Sequence, residues 1–303
     1  MNQSIAVIGE CMVEVKSGAA IGYGGDTLNF SVYLARLGVN VSYVSALGDD
    51  PMSDWMIKEW QDEGVDCALV TREPNAVPGL YLIDVDDTGE RTFYYWRDQS
   101  PAKKIFDEDT RANALFEKLY GFDYLYLSGI SLAIYSDSAR QRLFDFLDAY
   151  RARGGKVLFD NNYRPRQWPS VEKSREVFEQ IYRRADVALP TIDDESLLYG
   201  ESDQDDVIRR LQLWGVGEMI LKKGADGCTV ASQESITQVK AVPVETVVDT
   251  TAAGDSFNAG FIAAKFSGKS NEDAAAFAGA LAAQVVQHRG AIIDKEHMKG
   301  LVA

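Results

Sequence analysis

Short runs rich in valine, isoleucine and leucine alternate along this chain with stretches of helical periodicity, and that alternation restricts the fold more than any other feature. Ile5 to Ile8, Val41 to Leu47, Tyr124 to Leu127, Lys156 to Phe159, Val187 to Leu189 and Met219 to Leu221 read as strands. Asp137 to Arg151, Val171 to Arg184 and Asp205 to Leu213 read as helices between them. The pattern predicts an α/β fold with a mostly parallel sheet. Gly9, Asp160 and Lys222 close three of the strands and lead into polar or glycine-rich loops, the end at which open α/β sheets bind ligands. A chain of 303 residues, 46% of them hydrophobic, can bury a large core as one domain spanning 1–303. No internal repeat or long linker divides it, and the acidic run Glu201 to Asp206 reads as a solvated turn.

Two stretches break the alternation, at about 12–23 and 78–98, where extended sequence has no helix of its own. They are expected to pair into a small sheet over the main domain. In Thr92 to Arg97 a period of two puts Phe93, Tyr95 and Arg97 on one face and Thr92, Tyr94 and Trp96 on the other. One face can then meet a ligand while the other meets protein. Asp86-Asp87-Thr88-Gly89-Glu90 is a good hairpin turn between the two strands.

Composition excludes several classes of partner. No apolar run reaches the roughly 18 residues of a membrane span, and the amino terminus lacks the basic-then-apolar order of a signal peptide, so no membrane partner and a cytoplasmic location are expected. Cys11, Cys67 and Cys228 are odd in number and scattered, which suggests neither a disulfide framework nor a clustered metal site. His288 and His297 have no spaced partner for a metal and read as structural or solvent-facing. A formal charge of −15 repels polyanions, so nucleic acid is not an expected partner, and an anionic substrate must be met by locally placed arginines.

The chemistry concentrates in Asp249-Thr-Thr-Ala-Ala-Gly-Asp-Ser-Phe-Asn-Ala-Gly-Phe261. If a helix starts near Gly254, the amides of Ala253, Gly254 and Asp255 point outward as donors, and Ala252, Ala253 and Gly254 carry no side chain to keep a phosphate away. Asp255 sits where a carboxylate can receive the proton of a substrate hydroxyl, its pKa expected to be lowered by the helix start. A plain helix start capped by Thr250 or Thr251 is the simpler alternative. Gly22-Tyr-Gly-Gly-Asp-Thr-Leu-Asn29 leads into a helical pattern from Phe30 to Leu37. It lies too far past the first strand for a dinucleotide fingerprint, and a Walker-A loop is absent. Leu221-Lys-Lys-Gly-Ala-Asp-Gly227 offers glycines for close backbone approach to a phosphate or ribose, with Lys222 or Lys223 to screen charge.

The string from Asp249 to Phe261 and the Gly-Gly-Asp-x-x-Asn cluster together resemble the two signatures of the ribokinase-like, PfkB-type family of sugar kinases. The resemblance implies a three-layer α/β/α domain with a small β-sheet lid, ATP and Mg2+ as cofactors, and Asp255 as catalytic base with Ala252, Ala253 and Gly254 around it. It implies Gly24, Gly25, Asp26 and Asn29 as substrate contacts, the sharpest being Asp26, whose carboxylate can accept two vicinal hydroxyl hydrogens. Asn162, Arg164, Lys222, Gly224, Gly227, Ala252, Gly254 and Gly290 are implied on the nucleotide side, Gly290 with Ala291 in a closing loop. The family's Asn-x-x-Glu motif, which organises the metal and its waters, aligns with Ile192-Asp-Asp-Glu195: Glu195 is kept, Ile192 replaces the Asn, and Asp193 or Asp194 is left to compensate.

Arginine narrows the substrate. Arg97 follows the aromatic strand, and Arg164 follows Lys156 to Phe159. Two guanidinium groups suit a carboxylate better than a neutral sugar. With Pro78-Gly-Leu-Tyr81, Gly89 to Arg97, Tyr124 to Ser131 and Asp160 to Arg166, the chain resembles the 2-keto-3-deoxygluconate kinases of that family. The implication is a sugar acid held by Tyr81, Tyr95, Arg97 and Arg164. A neutral-sugar kinase, an adenosine-type kinase and a non-catalytic sensor on the same fold are the alternatives. Lid pairing in the family, with Tyr94 and Trp96 as a contact, leads to the expectation of a homo-oligomer.

Overall fold

The computed structural model describes residues 3–16, 21–85, 91–200, 202–301 and 303, so the expected turn at 86–90, part of the first inserted segment and Glu201 lie outside it. The strands in chain order are β1 (Ser4–Ile8), β2 (Met12–Lys16), β3 (Gly22–Gly24), β4 (Asn40–Gly48), β5 (Val70–Glu73), β6 (Leu80–Val85), β7 (Arg91–Trp96), β8 (Tyr124–Ser128), β9 (Lys156–Asp160), β10 (Val187–Ala188), β11 (Glu218–Lys222), β12 (Cys228–Ser232) and β13 (Ile236–Val239). The helices are α1 (Asp26–Arg36), α2 (Pro51–Asp62), α3 (Asp109–Leu119), α4 (Gly129–Ile134), α5 (Asp137–Ala152), α6 (Val171–Tyr182), α7 (Ile192–Tyr199), α8 (Gln204–Leu213), α9 (Ala253–Phe266) and α10 (Asn271–Val285). All six strands anticipated from the sequence are present, each end within a residue of its expected place. The alanine-rich α9 and α10 lack a strong apolar stripe, having small residues on every face, and only the start of α9 is legible beforehand.

The large sheet runs β13-β12-β11-β10-β9-β8-β1-β4-β5. From β5 to β11 every pairing is parallel, and β12 and β13 add an antiparallel edge. Strand order reverses between β1 and β8, so the crevice outside their carboxyl ends is the place where a fold of this kind binds ligands. The pleat sends alternate side chains of β1 into two cores. Ala6 and Ile8 pack with the layer formed by α3 to α8, and Ile5 and Val7 pack with the layer of α1, α2, α9 and α10. Helices therefore cover both faces, as a parallel sheet requires.

The two segments that broke the alternation form a second sheet in the order β3-β2-β6-β7. Three residues, Gly9 to Cys11, join β1 to β2, and Gly25 alone joins β3 to α1. Of the two faces expected on β7, both are open: Phe93, Tyr94, Tyr95 and Trp96 are all exposed. Phe93 and Tyr95 line up with Tyr81 of β6 on one face, their ring centroids about 6 Å apart. Among the described residues, no helix is long and apolar enough to cross a membrane.

Candidate active site

Strand ends and two helix starts converge at the switch point. Helix α1 begins at Asp26, four residues before the expected Phe30, so Asp26 and Asn29 share its first turn, Asn29 buried and Asp26 partly so. Asn29 Nδ2 donates to Asp255 Oδ2 at 2.9 Å, across 226 positions of sequence. Asn162 Nδ2 donates to Asp26 Oδ2 at 2.8 Å. At the end of β11, Lys222 Nζ donates to Asp160 Oδ1 at 3.1 Å and to Asn258 Oδ1 at 3.0 Å. Asn258 in turn donates to the Tyr126 hydroxyl at 3.2 Å. A Cβ placed on Gly254 would lie 3.6 Å from Lys222 Nζ, which sets this ammonium beside the head of α9.

Helix α9 starts at Ala253 with Ala252 as its cap in the left-handed region, φ 59°. Asn162, at φ 27°, is a second non-glycine residue with a positive angle, and both lie in the site, where such backbone strain is commonly held by its surroundings. The expected trio of free amides becomes a pair: Ala253 N–H turns back to the Thr250 carbonyl at 3.2 Å. The amides of Gly254 and Asp255 donate to no group among the described residues. An anion at this point would meet two amides, the end of the helix dipole and Lys222.

Asp255 departs from expectation in the sign of its pKa. Its side chain is only 8% exposed, and burial, then the charges of Asp26 and Asp160, push the carboxyl up to about 8 against the pull of Asn29 and Lys222. Desolvation and like charge thus outweigh the helix start. Burial and the Asp160 charge raise Asp26 as well, with Ser128 and Asn162 opposing. A raised carboxyl is a stronger base once ionised, and it is protonated over more of the neutral range.

The glycines before α1 are explained by close approach. A Cβ on Gly25 would fall 2.3 Å from the Glu10 carbonyl oxygen, and one on Gly24 would fall 2.1 Å from the Tyr81 hydroxyl. That hydroxyl donates to Glu14. Tyr95, on the neighbouring strand, keeps its ring exposed. The two arginines already have partners: Arg97 pairs with Glu10, and Arg164 with Asp194 at 3.4 Å and with the Tyr163 carbonyl at 2.8 Å. No contact joins Arg97 to Arg164 directly among the described residues. Glu10, Asp160 and Asn258 are among the site residues that sequence reasoning did not single out, Asp160 reading there only as a strand end. Asn258 lies one turn past Asp255 in the same string and could have been found from that spacing; nothing local distinguishes Glu10.

Glu195, expected to act on the metal through water, lies in the first turn of α7. It is fully buried and saturated by protein: Asn161 Nδ2 donates to it at 2.9 Å, Arg210 Nη2 at 2.6 Å, and the Tyr182 hydroxyl donates as well. Asp193 is exposed. Asp194 is half-buried, and burial pushes its carboxyl up to about 6, with Arg164 opposing and Asp160 reinforcing the shift. Among the described residues no three His, Cys, Asp or Glu side chains form a group that could hold a metal by themselves. Asp194 lies within the field of Asp160, and two carboxylates of this kind suit a divalent ion only if it keeps most of its waters and takes its other ligands from phosphates.

On the nucleotide side, Lys223 turns away to Gln204 at 3.0 Å, leaving Lys222 as the cation at the anion pole. Gly224 and Gly227 both have positive φ around a short 3-10 turn, Gly224–Asp226. The Gly290 amide is used within the protein, donating to Asp249 Oδ2 at 3.0 Å, and the following carbonyl of Ala291 accepts from Tyr33 at 2.8 Å. A cleft of about 660 Å³ runs beside this loop, from Gly290 to Lys295 and across to Glu14 and Glu63, without including Asp255. The two histidines, expected to be structural or solvent-facing, stack on each other with ring centroids 3.7 Å apart.

A sequence profile described as pfkB family carbohydrate kinase matches residues 2–298. The 2-dehydro-3-deoxygluconokinase of Escherichia coli strain K12 is 50% identical over 98% of this chain and 99% of its own length. That of Dickeya dadantii strain 3937 is 48% identical over 98% of each. Among solved structures, aminoimidazole riboside kinase from Salmonella enterica, complexed with aminoimidazole riboside and an ATP analog, superposes with a TM-score of 0.83 at 24% identity, covering 99% of both chains. Fructokinase from Vibrio cholerae O395, in its fructose-, ADP- and calcium-bound form, gives 0.82 at 22% identity over 99% of this chain and 96% of that one.

Proposed function

The chain belongs to the pfkB family of carbohydrate kinases, and from that premise we propose that it transfers the terminal phosphoryl group of ATP to 2-keto-3-deoxygluconate (2-dehydro-3-deoxygluconate). The products are 2-keto-3-deoxy-6-phosphogluconate and ADP. The observation that carries the reading is the juxtaposition of Asp255, held by Asn29, with two open helix-start amides and Lys222. Whole-length identity to curated 2-dehydro-3-deoxygluconokinases supports the choice of substrate.

The terminal hydroxyl of the sugar acid lies against Asp255, which orients it and accepts its proton as the oxygen bonds to phosphorus and the bond to ADP breaks. In a loose transition state the proton leaves late, so positioning and charge stabilisation contribute more than basicity. The Gly254 and Asp255 amides and Lys222 stabilise the moving phosphoryl group. Asp194 and Asp160 would hold the waters of a bound divalent ion, Mg2+ in this proposal, which would supply neutralisation of phosphate charge. Arg97 and Arg164 hold the carboxylate, and Tyr81 and Tyr95 the body of the acid. By the same proposal the enzyme works in the cytoplasm and as a homo-oligomer.

The pairing of Arg97 with Glu10 favours one competing reading, a kinase of neutral sugars, because a neutralised guanidinium has less attraction for an acid. ADP release with Mg2+ and ATP separates the two when 2-keto-3-deoxygluconate, fructose, ribose and adenosine are compared at matched concentration. A preference for the keto acid of about tenfold or more, about 1.4 kcal/mol, is expected. Preference for fructose or ribose would overturn the acid assignment and leave Asp255 its role.

A further inference from the structure

We propose, on the premise that Arg97 is a carboxylate ligand, that Glu10 is its built-in counter-ion, neutralising Arg97 in the empty protein and thereby limiting how tightly the site holds an acid. Glu10 sits in the three-residue joint between β1 and β2, and its side chain is only 1% exposed. It accepts from Nη2 of Arg97, which lies just past the end of β7 with a side chain 12% exposed. Carboxylate and guanidinium therefore meet at the root of the lid, out of bulk water.

The pair is only partly used. Glu10 Oε1 and Arg97 Nε are both buried without a protein partner, and so is the Tyr135 hydroxyl. Burial, and after it the Glu10 charge, raises the Tyr135 phenol, which sets that ring within the field of Glu10. Gly79 is what admits the pair: a Cβ there would lie 3.1 Å from Glu10 Oε1 and 3.3 Å from Arg97 Cβ. A guanidinium offers a planar fork of donors, and one engaged with Glu10 through Nη2 retains other N–H donors for a second carboxylate. A neutral sugar leaves the ion pair as it is. An acid brings a second negative charge to a cation already neutralised, and Glu10 then repels it. Replacing Glu10 by its uncharged isostere removes the repulsion and leaves a buried cation whose counter-charge only an acid can supply. Glu10 is thus a positioning residue that acts through Arg97.

The test compares wild type, Glu10→Gln and Arg97→Ala for KM and kcat on 2-keto-3-deoxygluconate and on fructose, with thermal midpoints read with and without each sugar. Glu10→Gln is expected to lower KM for the keto acid about fivefold, to affect kcat and the fructose response much less, and to lower the midpoint of the empty protein while enlarging its rise on adding the acid. An unchanged or raised KM for the acid in Glu10→Gln, with Arg97→Ala still raising it, overturns the counter-ion and leaves the carboxylate reading intact. No effect of Arg97→Ala on that KM overturns the carboxylate reading itself and the counter-ion with it. If Glu10→Gln is too unstable to assay, Glu10→Asp draws the carboxylate back by one methylene and should lower the same KM to a smaller degree; if it does not, the proposal falls.

Discussion

At the scale of single residues, Asp255 ties activity to a stability penalty. Its carboxyl titrates near 8 in the folded protein and at about 3.9 in an unfolded chain. Between those values the folded state holds a proton that the unfolded state has released, so this group makes stability fall as pH rises from about 4 to about 8. Asp255→Asn cannot ionise. Its thermal or urea stability should exceed wild type by at least about 1 kcal/mol at pH 8, with the difference vanishing near pH 4, while turnover drops roughly 10²–10⁴-fold. For wild type, kcat/KM should climb with pH through an apparent value near 8 set by Asp255. A flat profile from pH 6 to 9 would contradict it. Glu195 gives the opposite case: Glu195→Ala should cost roughly 3–5 kcal/mol in chemical denaturation, because it removes the buried carboxylate on which Asn161, Tyr182 and Arg210 converge, and an unchanged Mg2+ concentration for half-maximal activity would take it out of the metal's water shell. The Asp255 string was legible because its small residues and acid stand together in sequence. The sign of its pKa and the burial of Glu195 were not, since both depend on side chains brought from distant elements: Asp26 from α1, Tyr182 from α6 and Arg210 from α8.

At the scale of elements, the buried parallel strands announced themselves as continuous apolar runs, and the inserted strands by their lack of a following helix. The edge strands β12 and β13 and the short β5 went unread, because β13 is half exposed and β5 carries Thr71, Arg72 and Glu73. Glycine at the joint between β3 and α1 marks where the small sheet meets the main body, and steric room there is absent. Gly25→Ala forces a methyl group against the Glu10 carbonyl. The expected cost is about 1–3 kcal/mol in chemical denaturation, together with a loss of kcat, since the first turn of α1 carries Asp26 and Asn29.

At the scale of the whole molecule, the exposed aromatic side chains of β7 are the feature best suited to a contact between copies. If the homo-oligomer forms through the lid, Tyr94→Ser with Trp96→Ser should reduce the mass measured by analytical ultracentrifugation to that of a smaller assembly. An unchanged mass would move the contact elsewhere. With a net charge of −15, the long-range field of the protein opposes an anionic substrate, so its capture should depend on short-range contacts to cations such as Lys222, Arg97 and Arg164.

The two short joints under the small sheet carry a mechanical consequence. With only Gly9 to Cys11 on one side and Gly25 on the other, β2 and β3 are tied directly to the end of β1 and to the first turn of α1. If β6 and β7 swing toward a bound sugar, the pull reaches that turn through β2 and β3, and with it Asn29, the amide that grips Asp255. Closure over the sugar and aim of the proton acceptor are then one displacement rather than two.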